Sequence, residues 1–253
     1  VGLLCMHKGS MYLTSADEPN VLYRSEPFQP GLYDRARSHW RFASPLLMIV
    51  SVDGGLFISD SRAIYFMNTQ GERETLRRLT SYPALEYSEC PQQASAREIG
   101  FDTSGMCAFW LAESGACVGL PDGSLVNMTE KKIRFPEKYG HGATLLMGDF
   151  LIGTFGNCVT LCINTELGDP QEKAASQFTS YGFNSYAEVA GRYLGAGDSG
   201  LYAIEEGKDD SGTDIAASFA PVMSDFGDSH PKRLRYLDFG YEADGDLQVT
   251  VTV

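Results

Sequence analysis

A glycine followed by a short apolar or aromatic strand recurs five times along this chain. The copies are Gly9-Ser-Met-Tyr-Leu, Gly55-Leu-Phe-Ile, Gly115-Ala-Cys-Val, Gly156-Asn-Cys-Val and Gly200-Leu-Tyr-Ala, spaced by 46, 60, 41 and 44 residues. Several are preceded by another apolar strand and a tight turn, as in Leu47 to Ile58, Met106 to Val118 and Gly191 to Ala203. Each such unit reads as strand, turn, strand, with glycine where the turn demands a positive φ. A period of about 40–50 residues carrying several short strands is the requirement of a β-propeller blade. The Trp-Asp dipeptide of WD repeats is absent, since Trp40 precedes Arg41 and Trp110 precedes Leu111, and the double glycine of kelch repeats occurs among the copies only at Gly54-Gly55.

The rest of the chain agrees. Runs of four to eight residues rich in Val, Ile, Leu, Tyr and Phe alternate with Gly, Asp, Asn, Pro and Ser clusters, the pattern of strands separated by turns. Only Asp34 to Trp40 and Glu72 to Leu79 could form a turn or two of helix. The expected fold is all-β: a propeller of about 40–60-residue blades over residues 1–213, then a truncated β-sandwich-like appendage from 214 to 253. The acidic loop Glu205 to Asp214 marks the crossing. Beyond it Ile215 to Phe219, Arg233 to Tyr241 and Leu247 to Val253 alternate regularly and lack the repeat.

The 253 residues hold 20 Lys plus Arg against 33 Asp plus Glu, a net charge of −13. Such a balance argues against a general binder of nucleic acid or anionic membrane, whose phosphates would repel it. No apolar run approaches the ~20 residues of a membrane helix, so no membrane insertion is expected, and no secretory leader is visible. The sequence opens on Val1-Gly2 and stops within an alternating run, which reads as an internal piece of a longer protein. Six cysteines are too sparse for a disulfide scaffold. Cys158 and Cys162 flank a strand-like Val-Thr-Leu, which at ~3.3 Å per residue separates them too far for a disulfide or a shared metal. Cys107 and Cys117 flank a turn and could approach each other. Free thiols are expected, consistent with assembly in a reducing cytoplasm.

The search for catalytic chemistry yields little. His7, His39, His141 and His230 are not at metal-ligand spacing, and HExxH, CxxC, GxSxG, the P-loop and GxGxxG are all missing. Asp225-Phe-Gly and Asp238-Phe-Gly copy a kinase tripeptide without its context. The loop Glu205 to Asp214 has the carboxylates that calcium favours but not the spacing of a calcium loop, so a solvated turn is expected. Asn127-Met-Thr is a glycosylation sequon. Ser51-Val-Asp-Gly-Gly resembles part of the Asp box of sialidase-type propellers, a structural turn in which Asp bonds backbone N–H groups. It occurs once and lacks the usual tryptophan. No catalytic, cofactor or metal residue is assigned. One charge cluster stands out: Lys232, Arg233 and Arg235, following His230-Pro, concentrate basic charge in an acidic chain. They read either as gatekeepers on an exposed strand edge or as a docking patch for an acidic neighbouring subunit.

The segments Tyr181 to Ala196, Ser199 to Gly207 and Asp225 to Leu237 resemble the carboxyl half of bacteriophage tail proteins of the propeller type, found in tail hub, nozzle and tip-associated positions. Tyr23 to Tyr33 is similar to that family's rim loop, and Ala63-Ile-Tyr-Phe-Met and Leu125-Val-Asn-Met-Thr-Glu-Lys each follow a blade strand as they do there. The resemblance implies a non-enzymatic virion structural protein, assembled in the host cytoplasm into a symmetric ring of its own copies with other tail proteins. It carries over no site residues and no cofactor. An acidic channel face in such a ring would let DNA pass without sticking. Two alternatives remain: a propeller that presents the aromatic loop Tyr23 to Tyr33 to a host glycan or protein, and a sialidase-like glycosidase.

Overall fold

A computed structural model describes residues 2–214 except 72, 136–137, 157–158, 167–168, 172, 179–180, 205–208 and 211. Residues Val1–Gly207 form one compact unit and Lys208–Val253 a second. Every named element among the described residues is a β-strand.

The first unit consists of five consecutive antiparallel meanders. Blade 1 holds β1 (Leu4–His7), β2 (Ser10–Thr14), β3 (Val21–Glu26) and β4 (Gln29–Tyr33), with β5 (His39–Arg41) pairing the first half of β3. Blade 2 is β6 (Leu46–Val52), β7 (Gly55–Asp60), β8 (Ile64–Asn68) and β9 (Thr75–Arg78). Blade 3 is β10 (Ala94–Ser95), β11 (Met106–Ala112), β12 (Gly115–Gly119) and β13 (Leu125–Asn127). Blade 4 is β14 (Gly142–Met147), β15 (Phe150–Phe155), β16 (Val159–Asn164) and β17 (Ala175–Phe178). Blade 5 has three strands, β18 (Ser185–Val189), β19 (Arg192–Gly197) and β20 (Gly200–Ala203). The second unit contributes a two-stranded hairpin, β21 (Asp209–Asp210) with β22 (Thr213–Asp214).

Successive meanders stack as the blades of a propeller. The leading long strands pack in series: β1 on β6, β6 on β11, β11 on β14 and β14 on β18. Among the described residues no comparable packing joins β18 back to β1, so the five blades form an open arc. Four apolar clusters fill the four seams. Tyr12, Leu22, Ile49, Leu56 and Ile58 join blades 1 and 2, and Val50, Phe57, Phe66, Ala108 and Trp110 join blades 2 and 3. Phe109, Val118, Leu151, Phe155 and Ile163 join blades 3 and 4, and Leu145, Ile152, Tyr186 and Ile204 join blades 4 and 5.

The period-2 geometry of a strand explains the burial. Along β11, Ala108, Trp110 and Ala112 face blade 2 while Cys107, Phe109 and Leu111 face blade 4. A middle blade is covered on both faces, so β7, β12 and β14 are buried at every residue, as expected of sheets with no solvent side. Burying each large apolar side chain contributes roughly 1.5–3 kcal/mol, so the seams supply most of the cohesion.

Three sequence expectations need correction. Gly156 follows β15 at φ +54° and opens the turn toward β16, so the fourth repeat copy is out of phase with the others; the matching turn in blade 4 is Gly148-Asp149. Gly115 and Gly200 do adopt positive φ (138° and 141°), but Gly55 does not. It is required because a Cβ there would collide with the Met67 carbonyl oxygen across β8. Neither helix forms: Thr75–Arg78 is the outer strand of blade 2, and 34–38 is a turn capped by Asp34, whose Oδ1 accepts the Ala36 N–H at 2.9 Å. The long interval of 60 residues between the second and third copies also has a cause. Residues 84–93 run along both β11 and β14: Leu85 donates its N–H to Leu111 O (2.8 Å), Cys90 to Phe109 O (2.8 Å), and Gly142 to Glu86 O (3.0 Å). The insertion is an extra strip of backbone lashing blade 3 to blade 4.

Candidate interaction surfaces

Beside its apolar cluster, every seam carries polar contacts between side chains or from side chain to backbone. At the first, buried His7, at the end of β1, places Nδ1 2.7 Å from Ser51 Oγ and Nε2 2.7 Å from Thr69 Oγ1, both in blade 2. Burial, with Lys8 beside it, lowers the imidazole pKa from its ordinary 6.5. At the second, Asp53 Oδ2 accepts the N–H of Met106 at 3.2 Å, and Gly105 lacks the Cβ that would strike that carboxylate. The Ser51–Gly55 turn therefore reaches backward through Ser51 and forward through Asp53. At the third, buried Lys173 donates to the carbonyls of Ile99 (3.2 Å) and Glu166 (3.3 Å), and desolvation lowers its pKa. At the fourth, Tyr186 Oη lies 2.5 Å from Thr154 Oγ1, which bonds Thr160 Oγ1 at 2.9 Å. Burial pushes the Tyr186 phenol up to about 12.

The residues singled out from sequence are dispersed. His7 is a seam residue, and His39 lies on β5 with its ring 6.3 Å from that of Tyr23. His141 follows the loop before β14, and His230 lies outside the described residues. Lys232, Arg233 and Arg235 also lie outside them, as does nearly all of the appendage expected from residue 214. In the acidic loop, Asp209 Oδ1 accepts the Gly212 N–H at 2.6 Å, so this carboxylate caps its own hairpin. No group of three or more His, Cys, Asp or Glu among the described residues could hold a metal ion. Asn127 of the sequon is buried and donates Nδ2 to Ser114 O at 2.9 Å. Cys107 and Cys117 do not meet: Cys117 pairs with Trp110 and faces blade 2, whereas Cys107 faces blade 4. Both are free thiols, as are Cys5 and Cys90.

Among the described residues three surfaces stand out. The first is the β3–β4 hairpin, where Phe28 occupies the turn at φ +59° with 86% of its surface exposed. Its N–H donates to Gly9 O at 2.7 Å, and its ring lies over Gly9, where a Cβ would sit 2.7 Å from a ring carbon. Arg24 pairs with Glu74 of blade 2, while Arg35 lies 6.0 Å over the Tyr23 ring. The second is an open cleft of about 680 Å³ between the outer strands of blades 2 and 3, lined among others by Arg77, Arg78, Thr80, Tyr82, Ser124 and Glu130. Arg77 spans it to Gly123 O at 3.2 Å.

The third is the pair of sheet faces that end the arc. On blade 1, opposite the seam, the register places Leu4 beside Leu13 and Leu13 beside Tyr23, with Met6 beside Met11. Leu4 and Met6 are 61% and 53% exposed. On blade 5, Ala187, Leu194 and Ala203 form one cross-strand row and Ser185, Ala196 and Leu201 another. Val189 and Leu201 there are 54% and 67% exposed.

No protein-family model matches the sequence, and no curated protein does. Among solved structures the chain is similar to BamB from Moraxella catarrhalis, with a TM-score of 0.42 and 9% identity over 79% of this chain and 67% of BamB. It is also similar to the Pan2 WD40 domain of Neurospora crassa, with a TM-score of 0.37 and 9% identity over 79% of this chain and 74% of that domain.

Proposed function

We propose that this chain is a non-catalytic propeller scaffold that works by assembly, and more specifically a component of a phage tail, built in the host cytoplasm into a ring of its own copies with other tail proteins. The observation that carries the scaffold reading is the open arc. Four seams are each filled with apolar side chains and crossed by polar contacts, while Leu4 and Met6 on blade 1 and Val189 and Leu201 on blade 5 are exposed. Blades locked in this way transmit load, and exposed apolar residues of this kind mark association surfaces. The tail assignment is supported by the resemblance of residues 181–237 to propeller-type tail proteins. The charge of −13 suits a channel wall along which DNA passes without specific binding.

Single-particle electron microscopy of the full chain at micromolar concentration tests this. Rings of blade-bearing bodies around a pore are expected, and a uniform population of single arcs would overturn the ring. A channel lined by basic residues would remove the DNA-passage role.

A second reading, a module that binds a host glycan or protein, is favoured by Phe28, since a large apolar ring on a strained turn serves contact better than folding. A glycan-array signal lost in Phe28→Ala would establish it.

A further inference from the structure

We infer that the cleft between the outer strands of blades 2 and 3 binds an acidic saccharide, with the carboxylate held by Arg77 and Arg78 and the sugar hydroxyls by the polar rim. The site stands on this cleft alone and does not depend on ring formation. At about 680 Å³ the cleft has the size of a small-ligand site.

Its two arginines set it apart. Other basic side chains find carboxylates: Arg24 meets Glu74, Arg41 meets Glu18 and Lys138 meets Glu113. Arg77 and Arg78 are exposed on β9, and among the described residues neither has a carboxylate partner, in a chain with 33 Asp and Glu. Each is fastened to a backbone carbonyl instead. Arg77 donates Nη2 to Gly123 O across the cleft at 3.2 Å, and Arg78 donates Nε to Thr80 O at 2.9 Å. A guanidinium has five N–H donors, so most of them remain for a ligand. They suit bidentate capture of an oxyanion, and the carbonyl contacts hold both forks in place before it arrives.

The rest of the lining selects the body that carries the oxyanion. Leu79, Leu125 and Val126 supply apolar wall. Thr80 and Asn127 are engaged internally, donating to Tyr82 O at 2.6 Å and Ser114 O at 2.9 Å. Ser81, Ser124, Glu130 and Gln171 line the same cleft and are exposed. Glu130 decides between a sugar and a peptide. Its carboxylate accepts hydroxyls from a sugar ring, whereas a polyacidic peptide would set like charges against it. A uronic acid unit meets every part of the lining, with one carboxylate for the arginines, ring hydroxyls for Glu130 and Gln171, and an apolar ring face for the leucines.

Isothermal titration calorimetry of the full chain at neutral pH tests this with three probes: trigalacturonate, maltotriose and triglutamate. Trigalacturonate should bind at least tenfold more tightly than maltotriose, and added salt should weaken it. Arg77→Ala and Arg78→Ala should each weaken it at least tenfold with an unchanged melting temperature, because both side chains are exposed. Glu130→Gln should weaken it as well. No heat with trigalacturonate at millimolar concentration overturns the proposal, and so does equal binding of maltotriose. Tighter binding of triglutamate, strengthened by Glu130→Gln, would make the cleft a peptide site instead. Trigalacturonate binding that survives both arginine variants would place the saccharide elsewhere and overturn the assignment too.

Discussion

His7 in blade 1 and Ser51 in blade 2 are 44 residues apart in sequence and 2.7 Å apart in space. The imidazole between Ser51 and Thr69 makes the first seam sensitive to mild acid. Its folded-state pKa lies below 6.5, so the fold favours the neutral ring. His7 therefore contributes its full stabilisation above about pH 6.5, and that contribution is lost as pH falls through the lower folded value. Urea melts of wild type and His7→Gln between pH 7.5 and 5 should show wild type losing more stability on acidification. Parallel curves would remove His7 as the cause.

Trp110 offers a contrast between shape and hydrogen bonding. Its ring is buried between blades 2 and 3, 5.1 Å from the Phe57 ring, but its Nε1 has no hydrogen-bond partner among the described residues. Trp110→Ala should cost about 3–5 kcal/mol from lost burial and the cavity. Trp110→Phe gives up part of that volume and removes an unsatisfied donor, so it should cost well under half as much. Equal losses in chemical denaturation would mean that the indole N–H matters after all.

Gly119 faces the same rings. A Cβ there would sit 2.5 Å from the Phe57 ring and 2.7 Å from Trp110. Gly119→Ala should destabilise by about 1–3 kcal/mol through overpacking, whereas Gly140→Ala, with nothing within 4 Å, should change little. Thermal melts of the two variants decide it.

Among the described residues, blade 5 is held through the cluster around Tyr186 and by its phenol on Thr154. Tyr186→Phe should cost about 0.5–1.5 kcal/mol and act locally. Hydrogen exchange should quicken across Ser185–Ala203 while Leu46–Asn68 in blade 2 is unchanged. Uniform acceleration would mean that the blades unfold only together.

The buried thiols should be inert. Burial raises Cys90 to about 11 and both Cys107 and Cys117 to about 12, leaving almost no thiolate at pH 8. A chromogenic disulfide reagent should label none of the three until denaturant is added. Prompt labelling of any of them would place it at the surface.

The sequence by itself determined the local structure. Short β-rich runs with Gly, Asp and Asn between them can only become hairpins, because turn chemistry and side-chain alternation act over a few residues. That is why Leu46–Val52, Met106–Ala112 and Arg192–Gly197 were legible as strands, and why a blade-length period stood out. The phase of one copy was not legible: Gly148 and Gly156 both open turns in blade 4, and a short glycine motif fits either. Nor was the strip 84–93 that joins two blades, since its backbone partners, such as Phe109 for Cys90 and Gly142 for Glu86, lie far along the chain. Only the tertiary structure decided which faces meet. It turned Ser51 and Asp53, which read as a turn signature, into contacts on opposite sides of one blade, and made His7 a seam residue. It also left Leu4 and Leu201 exposed. An apolar residue looks the same in a chain whether a neighbouring blade covers it or not; burial belongs to the stacking of sheets, not to the strand.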